Sequence, residues 1–185
     1  IVLNNYCGTN AAGTAAIPNA RAGIMLSDAD GNEVGQPGNG NLASGNTDDG
    51  IVLRNSNGNV IVANYTGTRV NGLGSLPNGG EGITLASGSL NNFIGGTSTN
   101  ERNFISGNNG RGLHISGLSN GNTVLGNYIG LDAAGADLGN VLEGIMIENA
   151  NNNSVGGNTA GARNIISGNG SHGVYLQEGS STNTI

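Results

Sequence analysis

Six times in 185 residues the chain repeats one phrase: glycine, an apolar residue, any residue, an apolar residue. The copies are Gly23-Ile-Met-Leu26, Gly50-Ile-Val-Leu53, Gly82-Ile-Thr-Leu85, Gly112-Leu-His-Ile115, Gly144-Ile-Met-Ile147 and Gly173-Val-Tyr-Leu176. They begin 27, 32, 30, 32 and 29 residues apart. A second phrase, Asn-x-apolar, follows each copy, starting at Asn32, Asn59, Asn92, Asn122, Asn153 and Asn183. A third precedes each copy: an Asn, then apolar residues, then Gly or Ser-Gly, starting at Asn5, Asn41, Asn64, Asn103, Asn127 and Asn164. Three phrases in fixed order through six copies confine the chain to a repeat architecture.

Each phrase alternates inward and outward residues, the period of a strand. Each is too short for a helix and is bounded by Gly or Asn. Three short strands per turn of ~30 residues, stacked in register, make an all-β parallel β-helix (a solenoid) of about six turns. Every strand then pairs with its copy about 4.8 Å above and below. The expected inward columns are Ile24–Ile51–Ile83–Leu113–Ile145–Val174, Leu26–Leu53–Leu85–Ile115–Ile147–Leu176 and Val34–Ile61–Ile94–Val124–Val155–Ile185.

A longer period overlies the first. Loops 95–103 and 156–164 fall between the second and third phrases, whereas loops 9–22, 68–81 and 131–143 fall after the third. The unit is therefore a double turn of about 61 residues present three times, approximately 1–60, 61–123 and 124–185, within a single β-helix domain or segment, 1–185. Val2 shares its phase with Ile61, Val124 and Ile185. The expectation is either a window of a longer chain, with adjoining repeats as partners, or a protomer that stacks end to end on itself into a filament.

Composition matters because a core is only just possible. Leu, Ile, Val and Phe make up about 23% of the chain, close to the ~20% below which chains stay disordered. Like-on-like aliphatic stacks are what make so thin a supply sufficient. A net charge of −6, with six Arg and no Lys, speaks against nucleic acid and anionic membrane surfaces as partners. No run of 18 apolar residues exists, so no membrane insertion is expected. The chain opens at Ile1 as a mature or excised segment would. Cys7 is the single cysteine; its repeat equivalents Thr66 and Ile129 make a small core filler the expected role, with an intermolecular or reactive thiol as the alternative. No cofactor or metal is expected.

The column Asn32, Asn59, Asn92, Asn122, Asn153 and Asn183 reads as a structural ladder. Asn accepts left-handed bends, and its amide can bond the backbone or the next Asn in the stack.

The phrases Asn127-Tyr-Ile-Gly-Leu-Asp132 and Asn164-Ile-Ile-Ser-Gly-Asn169, the latter leading into Gly173-Val-Tyr-Leu176, resemble the right-handed parallel β-helix repeats of large secreted and surface-anchored bacterial proteins. The resemblance spans essentially the whole chain. It implies a right-handed, single-stranded parallel β-helix and an extracellular or cell-surface location. It leaves function open, because that superfamily also holds pectate lyases, polygalacturonases, uronate epimerases, phage tailspikes and adhesins.

Two classes of function follow. One is a structural or adhesive segment, which end-to-end stacking would extend into fibrils; the other is a carbohydrate-active enzyme or carbohydrate-binding domain of the polyuronate lyase, epimerase or hydrolase kind. Asn46-Thr-Asp-Asp49 resembles part of a polygalacturonase carboxylate set, and Ser171-His-Gly173 its His motif. Yet Asp48 and His172 lie four turns apart, roughly 19 Å, while acid and base must meet within about 5–10 Å. The Arg-x-Lys element of those enzymes is missing. No catalytic residue is assigned on this basis.

The residues just before each first phrase are Ala22, Asp49, Glu81, Arg111, Glu143 and His172. Beside them the outward column reads Met25, Val52, Thr84, His114, Met146 and Tyr175. Arg111, His114, Glu143 and Tyr175 are the candidates for carbohydrate binding. Arg would hold a uronate carboxylate, His or Glu would serve as base, and Tyr would carry a sugar face. The alternative is a cross-strand charge ladder that avoids stacking like charges. An outward Thr array of the ice-binding kind is missing.

Overall fold

A computed structural model describes residues 1–177 and 179–185. All sheet strands pair in parallel, and each pairs with its repeat copy. Sheet 1, from the first phrase, comprises β2 (Ile24–Ser27), β5 (Ile51–Arg54), β8 (Ile83–Ala86), β11 (Leu113–Ser116), β14 (Ile145–Glu148) and β17 (Val174–Leu176). Sheet 2, from the second phrase, comprises β3 (Glu33–Val34), β6 (Val60–Ile61), β9 (Phe93–Gly95), β12 (Thr123–Leu125) and β15 (Ser154–Val155), and the sixth coil meets it at a bridge between Ser154 and Thr184. Sheet 3, from the third phrase, comprises β1 (Tyr6–Cys7), β4 (Leu42–Ala43), β7 (Tyr65–Thr66), β10 (Phe104–Ile105), β13 (Tyr128–Ile129) and β16 (Ile165–Ile166). The expected all-β parallel solenoid is thus the observed architecture. No helix among the described residues is long and apolar enough to cross a membrane.

In the sixth coil Leu176 and Ile185, expected to point inward, are exposed. Over the first five coils the register places the aliphatic columns as the spacing predicts: Ile51 pairs with Ile83, Leu113 with Ile145, and Ile61 with Ile94. These residues form one continuous buried cluster along the axis. Ile105 and Ile129 add a column from sheet 3. Half-buried Cys7 packs against the same cluster, and burial raises its thiol pKa.

Polar side chains organise the bends between sheets. In the second-phrase column, amides bond from coil to coil between Asn59, Asn92, Asn122 and Asn153, each Nδ2 donating to the next Oδ1 at 3.0 Å. At either end the column continues through backbone N–H bonds, from Asn32 to Asn59 and from Asn153 to Asn183. Two further ladders run beside it. One is Asn5–Asn41–Asn64–Asn103–Asn127–Asn164. The other is Asn19–Asn46–Asn78–Asn108–Asn140–Asn169. Many of these amides also donate to a main-chain carbonyl of a neighbouring coil, as Asn103 does to Ile61 O at 2.7 Å. The ladders satisfy buried backbone groups at bends that no strand pairing reaches.

Close coil contact explains one glycine with particular force. Gly67 has φ +81°, and a Cβ there would lie 2.4 Å from the Ser106 carbonyl oxygen. The loops also alternate in kind. Those after the third phrase close as small hairpins, bridged at Thr9–Ala16, Thr68–Ser75 and Leu131–Asp137. Two of those before it carry single 3-10 turns, Thr99–Glu101 and Ala160–Ala162.

Candidate functional site

The outward face of sheet 1 gathers Asp49, Glu81, Arg111, His114, Glu143 and Glu148. Main-chain bonds from Gly82 to Arg111 O, Gly112 to Glu143 O and Gly144 to His172 O stack the residues preceding each strand into one column. Arg111 therefore sits one coil from Glu81 and one from Glu143. Its Nη1 donates to Glu81 Oε1 at 2.9 Å. Its Nε lies 3.0 Å from Glu143 Oε2, close but off the hydrogen-bond line.

The next positions extend the cluster. Asp49 accepts from the Glu81 backbone N–H and from the Thr84 hydroxyl, both at 2.9 Å. His114 pairs in register with Thr84 and Met146, and its Nε2 stands 3.4 Å from Glu148 Oε2. Burial and the Asp49 carboxylate hold the Glu81 pKa above its ordinary value, against the pull of Arg111. Burial and the Arg111 charge lower that of His114, against Glu148 and Asp49. For Glu143, burial acts upward, but its own backbone N–H, the Ser171 hydroxyl and Arg111 outweigh it and lower the pKa.

Of the four candidate residues, Arg111 and Glu143 meet directly. His114 is coupled to Arg111 through charge rather than contact. Tyr175 is separated from His114 by Met146 and instead stacks on His172, with ring centroids 5.0 Å apart. Glu148 belongs to the cluster and was not singled out by sequence reasoning, and Ser171, quoted above only as part of a His motif, joins it beside Glu143. The signal for Glu148 was its outward parity with Met146, two residues earlier on the same strand. The outward column is also less open than strand alternation implies: Val52 and Met146 are 5% and 4% exposed. Among the described residues no group of three or more His, Cys, Asp or Glu is placed to hold a metal ion.

The arrangement has the ingredients for proton transfer and carboxylate recognition, but Arg111 is already flanked by two carboxylates. Two well-formed concavities of the surface lie elsewhere, one on the outer side of sheet 3 and one around Ser154, Arg163 and Ile185.

No protein-family model and no curated protein matches this sequence. Solved structures do resemble it. A double mutant of the periplasmic alginate epimerase AlgG aligns with a TM-score of 0.59 at 19% identity, over 88% of this chain and 35% of that one. A single mutant of the same epimerase aligns with a TM-score of 0.58 at the same identity and coverage. The chain is a parallel β-helix repeat protein. It spans about a third of the epimerase's length, and at this identity what the two share is the fold.

Proposed function

We propose that the chain is a structural and adhesive β-helix, which holds an extended glycan against its side rather than converting it. The observation that carries this reading is the self-neutralised cluster on sheet 1. Arg111 is held between Glu81 and Glu143 at 2.9 and 3.0 Å, so a substrate carboxylate would have to displace one of them. The side chains of Arg111, Glu81 and Glu143 are 24%, 19% and 12% exposed, which leaves little room for a sugar among them. Three Asn ladders and a continuous aliphatic core support a rod that keeps its shape under load.

A second reading, polyuronate modification, is favoured by His114 lying between Thr84 and Met146 with its pKa lowered, a neutral base on the same face as Arg111. The fold shared with an alginate epimerase fits it as well. Incubation with polygalacturonate and alginate separates the two. The adhesive reading expects co-sedimentation with insoluble polysaccharide and no unsaturated or epimerised product. Turnover that disappears in His114→Ala and Glu143→Gln would replace it with the enzymatic one.

A further inference from the structure

Seven times the chain places Asn directly before Gly, at Asn39, Asn57, Asn71, Asn78, Asn109, Asn120 and Asn169. Such a junction is chemically fragile, because the glycine nitrogen can attack the Asn side-chain carbonyl with no side chain of its own in the way. Attack needs that nitrogen free to lose its proton and the Asn side chain free to swing over it. A backbone N–H that already donates to a carbonyl must first give up that bond.

Six of the seven junctions are held shut. Across coils, Gly58 N donates to Leu90 O, Gly79 N to Asn46 O, Gly110 N to Gly80 O, Gly121 N to Asn151 O and Gly170 N to Asn140 O, at 2.8–3.1 Å. Gly72 N donates to Arg69 O at 2.8 Å inside its hairpin. Most of the Asn side chains are tied as well. Asn57, Asn71 and Asn120 accept from the backbone N–H groups of Leu90, Leu73 and Asn151, and Asn78 and Asn169 stand in a ladder. Asn39 is the exception. It is exposed, in the loop from β3 to β4, and among the described residues the Gly40 N–H makes no hydrogen bond. Its Oδ1 accepts only from the exposed Asn4 Nδ2, at 3.0 Å. Yet the fold requires glycine at position 40, where a Cβ would collide with the Ala63 carbonyl oxygen. Coil stacking thus demands the reactive dipeptide and leaves it unguarded.

We propose that Asn39 is a covalent modification site, where the folded chain deamidates spontaneously through a succinimide. The Gly40 nitrogen gives its proton to water and bonds to Asn39 Cγ. The Cγ–Nδ2 bond breaks, and the side-chain nitrogen leaves as ammonia. Water then opens the five-membered imide at one carbonyl or the other, leaving aspartate or isoaspartate at position 39. Water is the only co-reactant, and nothing is oxidised or reduced. The product sets a negative charge between Gly38 and Gly40, two residues that line the cavity outside sheet 3. That lining includes Arg102 and no carboxylate, so the reaction brings the first one to its rim. Isoaspartate also lengthens the main chain by one carbon just ahead of the ladder residue Asn41. The inference stands apart from the adhesive reading.

Warm incubation of the whole 185-residue chain at mildly alkaline pH, in water enriched in heavy oxygen, tests it. Digestion in acid and mass spectrometry then locate the label. Labelled aspartate and isoaspartate are expected at position 39 at least about tenfold faster than at any of the other six junctions, the rate equivalent of one hydrogen bond that need not open. Unfolding in urea should speed the other six toward the rate of Asn39. Asn39→Gln should remove the fast product and leave the thermal melt in place. Label appearing at exposed Asn71 or Asn109 as fast as at Asn39 would overturn the proposal. So would a rate at Asn39 that rises on unfolding as much as the others, since the fold would then guard all seven alike.

Discussion

Replacing Asn122 by alanine removes a buried amide that five hydrogen bonds hold in place. Its Nδ2 donates to Asn153 Oδ1, Ser89 O and Ser119 O, and its Oδ1 accepts from the backbone and side-chain nitrogens of Asn92. The residue is fully buried. Alanine strands four groups: the Asn92 N–H, the Asn92 amide and the carbonyls of Ser89 and Ser119. Asn153 Oδ1 keeps the bond from the backbone N–H of residue 122. A stranded buried group costs about 1–3 kcal/mol, and taking the low end for each gives a loss of about 4 kcal/mol. Asn32 is the contrast, since its side chain donates only to Asp30 O and accepts nothing. Asn32→Ala should cost under about 1 kcal/mol. Urea denaturation followed by circular dichroism measures both, and hydrogen exchange of the flanking coils shows whether the damage spreads. Equal losses for the two variants, or less than about 1 kcal/mol for Asn122→Ala, would refute the view that the ladder carries stability.

Ile83→Asn or Ile115→Asn places an unpaired amide between aliphatic neighbours above and below, and should cost several kcal/mol and open more than one coil by hydrogen exchange. The outward Thr84→Ala should cost about 1 kcal/mol through its bond to Asp49; Met146→Ala, at a covered position, should cost more than an exposed outward change. Gly31→Ala meets no atom within 4 Å and should cost about 1–2 kcal/mol from its φ of +66°, whereas Gly67→Ala adds a collision with Ser106 O and should lose clearly more in thermal melts. For pH, the folded His114 pKa lies below 6.5, so the unfolded chain takes up that proton first as pH falls. The stability it contributes is complete above about pH 6.5 and is lost as pH drops through the folded value. Melts of His114→Asn should be flatter across that window than wild type.

The strands and the aliphatic core were legible because coil stacking fixes side-chain parity, and parity is written in the spacing of Gly23, Gly50, Gly82 and their copies. One Asn ladder was legible for the same reason, as Asn59 and its equivalents keep a constant offset from the next apolar residue. The ladder through Asn46, Asn78, Asn108 and Asn140 was not. Hairpin loops of varying length put Asn78 fourteen residues after Asn64 but Asn108 only five after Asn103. Hydrogen bonds across coils ignore that difference, whereas a search for fixed spacing does not. Alternation told which side Met146 and Val52 face but not what covers them. The Arg111–Glu143 pair followed from column membership, whereas the Tyr175–His172 stack depends on side-chain orientation. Tyr6, Tyr65, Phe104 and Tyr128 all stand second in the third phrase. Their alignment in one column, interrupted by Leu42, emerged only from the register.

Proton NMR of alginate and polygalacturonate in heavy water, with and without the protein, tests the account's central claim most directly. A β-helix that holds glycan without converting it predicts broadened saccharide signals, unchanged anomeric ratios and no deuterium at C5 after prolonged incubation. Deuterium incorporation at C5 or a new anomeric signal, lost in His114→Ala, would contradict it and make sheet 1 a catalytic surface.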